Sequence, residues 1–87
     1  MDRDSILEIL TDSEALLADG FNNALVGFAQ HGPSTTVAMY DRAKCIRILI
    51  ERDGMDEDGA EEFFDYNVSG AWLGDSTPVF ATFITPT

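Results

Sequence analysis

The residues of this chain with the greatest chemical reach are its carboxylates. Seven acids and no base fall between Asp53 and Asp65, in the run DGMDEDGAEEFFD. Carboxylates at that density could coordinate a metal, move protons or hold a cationic partner, and their spacing separates the three. An EF-hand loop aligned with Gly59 at its sixth position puts Asp56 third and Asp58 fifth. It then meets Gly54 at the first position, where an acid is needed, and Asp65 at the twelfth, where a bidentate Glu is needed. Glu61 also falls at the eighth position, which is ordinarily apolar, so calcium binding in this mode is excluded. Glu61 and Asp65 lie one helical turn apart, as paired carboxylates for acid–base work would. They share an exposed helical face, without the water-excluding pocket such work needs. His31 is the single histidine and falls in the turn His31-Gly32-Pro33-Ser34, with no nucleophile beside it. No Walker loop, G-x-S-x-G or C-x-x-C is present. The residues point to recognition, not to bond-making.

Size and charge narrow what is recognised. The chain has 87 residues, enough for one domain (1–87), and 45% of them are hydrophobic, with six Phe, two Tyr and one Trp. Acidic chains that stay disordered lack this apolar and aromatic content, so a folded core is expected. Sixteen acids against five bases give a net charge of −11. That balance argues against direct contact with nucleic acid and against an anionic membrane surface. It favours a basic, cationic or metallic partner, and it serves solubility or tolerance of high salt equally well. No cofactor is implied. A lone cysteine excludes an internal disulfide and fits a reducing cytosol. Cys45 lies in an apolar helical run and reads as a small core residue. The acidic start MDRDSILEIL is unlike a signal peptide, and no run nears the roughly 20 apolar residues of a membrane span. A cytoplasmic protein is expected.

The elements that must position the acids follow from periodicity and punctuation. Asp4 to Leu10 reads as a short helix capped by Asp4 or Ser5, and Thr11-Asp12-Ser13 could start a second one over Ser13 to Ala18. Asn23 to Gln30 and Thr35 to Tyr40 are strand-like runs about one turn apart, which predicts a hairpin. Gly27 inside the first run predicts a bulge or a close packing contact. Asp41 caps a helix that runs to about Arg52 and stops at Asp53-Gly54, with Ala43, Ile46, Leu49 and Ile50 on one face. Four of the five bases lie on it. Asp56 caps the next helix, and Glu57 and Asp58 sit near the positive end of its dipole. There Ala60, Phe63, Phe64, Asn67, Val68 and Ala71 form an apolar stripe, opposite Asp58, Glu61, Glu62 and Asp65. Pro78 to Thr85 reads as a last strand. The expected fold is α+β: a small two-layer domain, a three-stranded antiparallel sheet with a helical pair on one face, and one or two short N-terminal helices.

Within that frame, Asn67 on the buried stripe must satisfy its amide, most simply by bonding the backbone of the loop SGAWLGDSTP. Gly70 and Gly74 allow tight bends around Trp72, whose indole is expected to pack; a half-exposed Trp72 would instead be a binding anchor. The acidic face could pair with Arg42, Lys44, Arg47 or Arg52, be merely solvated, or mimic a phosphate backbone.

The motifs Y-D-x-x-K-C (from Tyr40), R-D-G-M (from Arg52) and N-V-x-G-A-W-x-G-x-x-T-P-x-F (Asn67 to Phe80) cover about half the chain. On these it resembles a family of small, acidic, uncharacterised bacteriophage and prophage proteins. Gly59 departs from the pattern, standing where the family carries Glu at the helix start. The resemblance implies a phage origin and no activity. Together with the charge, it leads to the expectation of a non-enzymatic interaction protein. Its partner-binding residues would be Asp56, Glu57, Asp58, Glu61, Glu62, Asp65, Asn67, Trp72 and Asp75. They would meet the basic surface of a host nucleic-acid-handling or defence protein. Self-association through an apolar edge such as PVFATFIT is the alternative. A small-ligand site would need a cleft near Asn67, Trp72 and Thr77.

Overall fold

The computed structural model describes residues 1–84. Its frame is the expected hairpin: β1 (Leu25–His31) pairs antiparallel with β2 (Thr35–Asp41), from Leu25 opposite Tyr40 to His31 opposite Thr35. Gly32, with φ +74°, turns the chain. Both expectations for Gly27 hold. The register shifts between Leu25 and Gly27, and a Cβ on Gly27 would sit 3.4 Å from the Met39 methyl.

Asp41 ends β2 and caps α2 (Arg42–Asp53), accepting from the Lys44 N–H at 3.3 Å. Gly54, at φ +71°, closes that helix in the left-handed conformation, as a C-terminal glycine should. Asp56 caps α3 (Glu57–Phe64) by accepting from the Gly59 N–H at 2.7 Å. A π-helical turn, Asp65–Ser69, extends α3, and β3 (Val79–Ala81) follows a loop.

The sheet is mixed, not antiparallel as expected. Its order is β1-β2-β3, and β3 runs parallel to β2, with Val79 beside Met39, Phe80 beside Tyr40 and Ala81 beside Asp41. Alternation in PVFATFIT says which side chains face the core but nothing about strand direction. Direction is set by the connection, and residues 42–78 make the long helical crossover that parallel pairing requires. The strand is also shorter than expected. Thr82 to Ile84 lie outside the ladder, and Thr85 lies outside the described residues.

The N-terminal segment needs two further corrections. Helix α1 spans Arg3–Asp12 and is capped by Asp2, which accepts from the Ser5 N–H at 2.8 Å. Asp4 is left in the first turn, where a carboxylate meets the dipole's positive end. No second helix follows. Ser13 is the C-cap of α1, and Glu14 takes a left-handed φ of +57°, so the polar cluster ends one helix and starts none. A short 3-10 turn, Asn22–Ala24, delays β1 to Leu25. The intervening loop is tied down twice: the Ala18 N–H donates to the Tyr40 hydroxyl at 2.8 Å, and Arg52 donates to the Gly20 carbonyl at 2.8 Å.

One face of the sheet builds the core. Leu25, Ala38 and Tyr40 pack there against Ile6 and Leu10 of α1, Cys45 and Leu49 of α2, and Ala60 and Phe64 of α3. Phe64 meets Phe80 edge-on at 5.0 Å and Phe21 at 6.4 Å, and Tyr40 stacks on Phe80 at 5.6 Å. Gly27, Ala29, Val37, Met39 and Val79 line the other face, apart from this core.

Cys45 is fully buried, as its apolar run implied. Burial first, and Asp41 second, push its thiol from an ordinary 9.0 up to about 11. Burial also raises Tyr40. A raised value favours the protonated folded form, so this contribution to stability is complete below pH 9.0 and falls as pH approaches about 11. Iodoacetamide at about pH 8 is expected to label Cys45 only in denaturant, since the thiolate is the nucleophile. Labelling of the native chain at the denatured rate would contradict this.

Candidate interaction surface

The acids of α3 are held outward by the packing of its other side. Ala60 and Phe64 are fully buried, while Asp56, Glu57, Asp58, Glu62 and Asp65 are exposed and Glu61 is half-buried. Among the described residues, intramolecular pairing takes up one of them. Arg42 donates to Asp65 at 3.0 Å and lies 5.5 Å from the centre of the Phe64 ring. Arg52, the base closest to the helix end, turns away from α3. It pairs with its neighbour Asp53 and sits over Phe21. Among the described residues, Asp58, Glu61 and Glu62 have no ion pair.

The far half of the expected apolar stripe does not hold. Asn67 and Ala71 are exposed, and Phe63 is 40% exposed. The π-helical turn after Phe64 is wider than an α turn, so the residues beyond it leave the phase set by Ala60 and Phe64. Val68 keeps partial contact with the core. The Asn67 amide therefore has no buried demand to meet. It donates back to the Phe63 carbonyl at 3.1 Å, so the loop after it is pinned by something else.

That brace is Thr77. Its hydroxyl accepts from the Leu73 N–H at 2.8 Å and donates to the Gly74 carbonyl at 2.6 Å, and its own N–H returns to Gly74 at 3.1 Å. Gly74 adopts φ +101°, which only glycine takes freely. The Ser76 carbonyl accepts from the Leu16 N–H at 3.3 Å, tying the loop to the N-terminal segment. The turn is as specified as its composition implied, but it does not bury its tryptophan. Trp72 is 69% exposed and Leu73 67%.

Gly70 has a different reason from the bend expected of it. A Cβ there would lie 2.6 Å from the Asp65 carbonyl oxygen and 3.3 Å from that of Tyr66. Backbone atoms of the π-helical turn cannot move aside cheaply. Gly70→Ala is expected to destabilise the chain by about 1–3 kcal/mol, read as a lower denaturant midpoint at unchanged slope. An unchanged midpoint would mean the turn has no such constraint.

Tyr66, 78% exposed, belongs to this surface although its chemistry did not draw attention to it. The signal was available: a 100° helical projection leaves Tyr66 off the Ala60–Phe64–Val68 stripe. With Gly59, Glu62, Phe63 and Asn67 it lines a shallow hollow on the outer side of α3. One carboxylate, Glu62, stands there beside the Phe63 and Tyr66 rings, a combination that suits Lys and Arg side chains.

Two grooves adjoin the turn. One, of about 390 Å³, lies between Trp72, Asp75, Thr77 and Val79 on one side and His31 and Val37 on the other. A smaller one of about 190 Å³ is lined by Asn67 and Thr77 with Leu17, Phe21 and Phe80. Clefts thus exist where a small-ligand site would need them, but Asn67, Trp72 and Thr77 do not converge on one. Among the described residues no three His, Cys, Asp or Glu side chains cluster as metal ligands would. No helix among them is long and apolar enough to cross a membrane. Comparison with protein-family models, curated proteins and solved structures finds no match to this chain.

Proposed function

We propose that this chain is a non-enzymatic, phage-encoded interaction protein. It presents the outer face of α3 and the Trp72 turn to a basic surface on a host protein in the cytoplasm. The observation that carries the reading is the exposure of Trp72 and Leu73 on a hydrogen-bond-braced turn. A small chain that holds a tryptophan in water at a fixed position forgoes its burial, of the order of 1.5–3 kcal/mol for a large apolar side chain. Such anchors, prepaid in conformational entropy, are what tight interfaces use. Glu62 and Asp58 are exposed on α3 and have no ion pair among the described residues, and the net charge of −11 would speed encounter with a basic surface.

A nucleic-acid-handling or defence protein is the partner class that fits, because its groove already accepts a line of negative charges. The resemblance of its motifs to those of small acidic phage proteins is the reason for placing the partner in a phage host. A short DNA duplex should therefore compete with this chain for its partner. Displacement by duplex at concentrations near the partner's own DNA affinity is the expected result. Simultaneous binding of both would place the contact away from the nucleic-acid groove and overturn that part of the proposal.

A further inference from the structure

The charge of this chain is unevenly spread. Sixteen acids and five bases are distributed along it, yet none falls between Asp19 and Asp41. That charge-free stretch contains the β1 strand and nearly all of β2. Strand β1 lies at the margin of the sheet and, among the described residues, pairs with β2 alone. Alternate residues of a marginal strand aim their N–H and C=O groups away from the sheet. Among the described residues no hydrogen bond from outside the hairpin reaches the backbone of Val26 to His31. Natural sheets guard such edges with lysine, proline, brevity or bulges. The other margin, β3, is three residues long. β1 is seven residues long, without charge or proline, and its bulge lies at its start, so Gly27 to His31 runs regular.

We propose that β1 pairs antiparallel with β1 of a second copy of this chain, joining two sheets across a two-fold axis. A contact about a two-fold must be self-complementary, and an antiparallel strand edge meets that demand with its own backbone. The charge distribution selects this occupant. Two chains of net charge −11 repel wherever their acids face, and the hairpin is the stretch where none do. A basic partner finds no counter-charge there and is drawn to α3 instead. The second sheet face, with Gly27, Ala29, Val37 and Met39, continues across the same axis. The face beside β1 shares the groove of His31 and Val37 with the Trp72 turn, whereas Gln30 lies outside that groove, so a charge at Gln30 tests the dimer and Trp72→Ala tests the proposed host contact.

Short edges make a small contact, so the dimer forms reversibly with concentration. Salt screens the repulsion between the rest of the two chains, and dimerisation is therefore tightened by salt, opposite to binding of a basic partner. The test is sedimentation equilibrium over a wide concentration range at about 0.05 M and about 0.5 M salt. A monomer–dimer equilibrium whose Kd falls severalfold at the higher salt is expected. Gln30→Glu, at an exposed position, should raise Kd at least about tenfold by setting like charges across the paired edge, with the circular dichroism unchanged. Val79→Glu, on β3, should leave Kd as it was. A monomer under all conditions would overturn the proposal. So would a dimer that Gln30→Glu leaves intact, or one that Val79→Glu abolishes.

Discussion

A chain carrying Phe64→Ala is expected to lose about 3–5 kcal/mol of stability. The whole stability of a domain of this size is roughly 4–13 kcal/mol, at about 0.05–0.15 kcal/mol per residue. The effect is large because Phe64 is fully buried and joins three separate parts of the fold. Its ring meets Phe80 of β3 and Phe21 ahead of β1, and the Arg42 guanidinium of α2 lies over it. Removing the ring leaves a cavity where β3, α2 and the Phe21 segment meet. The parallel strand β3 is the most exposed to that loss, since its ladder is only three residues long. Thermal unfolding should move down by about 4–8 °C for each kcal/mol in a domain of this length. A fall of only a few degrees would show that Phe64 is not the joint of this core.

Trp72→Ala should have the opposite profile. The indole is 69% exposed and its turn is braced by Thr77 and not by the ring, so stability should stay within about 0.5 kcal/mol of the parent. Affinity for the host partner should fall by about 2 kcal/mol or more, a factor of roughly 30. The loss should appear as faster dissociation, because a desolvated anchor controls residence time. Thr77→Val makes a useful companion. It keeps the turn's side-chain volume but removes the hydroxyl bonds to Leu73 and Gly74, and should weaken binding by loosening the anchor. A Trp72→Ala chain that unfolds readily, yet binds as before when folded, would assign the indole a structural role.

The parts of this fold that were legible in the sequence are those decided by local chemistry. Asp41 and Asp56 cap the helices expected of them, Gly54 ends α2, and Gly27 marks a bulge. Each depends on a residue and its near neighbours. The misses depend on distant ones. The direction of β3 is set by a crossover of two helices, to which strand alternation is blind. The phase of α3 beyond Phe64 is broken by the π-helical turn, which exists because Gly70 lets two carbonyls approach where a Cβ would stand. Periodicity carried through that turn puts Asn67 in the core, whereas the wider turn leaves it in solvent. For the surface itself, the acidic run was plain and the braced turn was suggested by its Gly, Thr and Pro. The exposure of Trp72 was not, because a tryptophan's burial depends on what else reaches the loop.

The central claim is that the anionic face of α3 and the Trp72 anchor together bind a basic host protein. Its most direct test is affinity capture from bacterial lysate with three baits: the parent chain, Trp72→Ala, and Glu61→Lys with Glu62→Lys. Each is eluted over a rising salt gradient. The account predicts one basic, nucleic-acid-handling or defence protein held by the parent, released at intermediate salt and lost from both variants. Retention of the same protein by both variants, or retention that salt does not weaken, would contradict it.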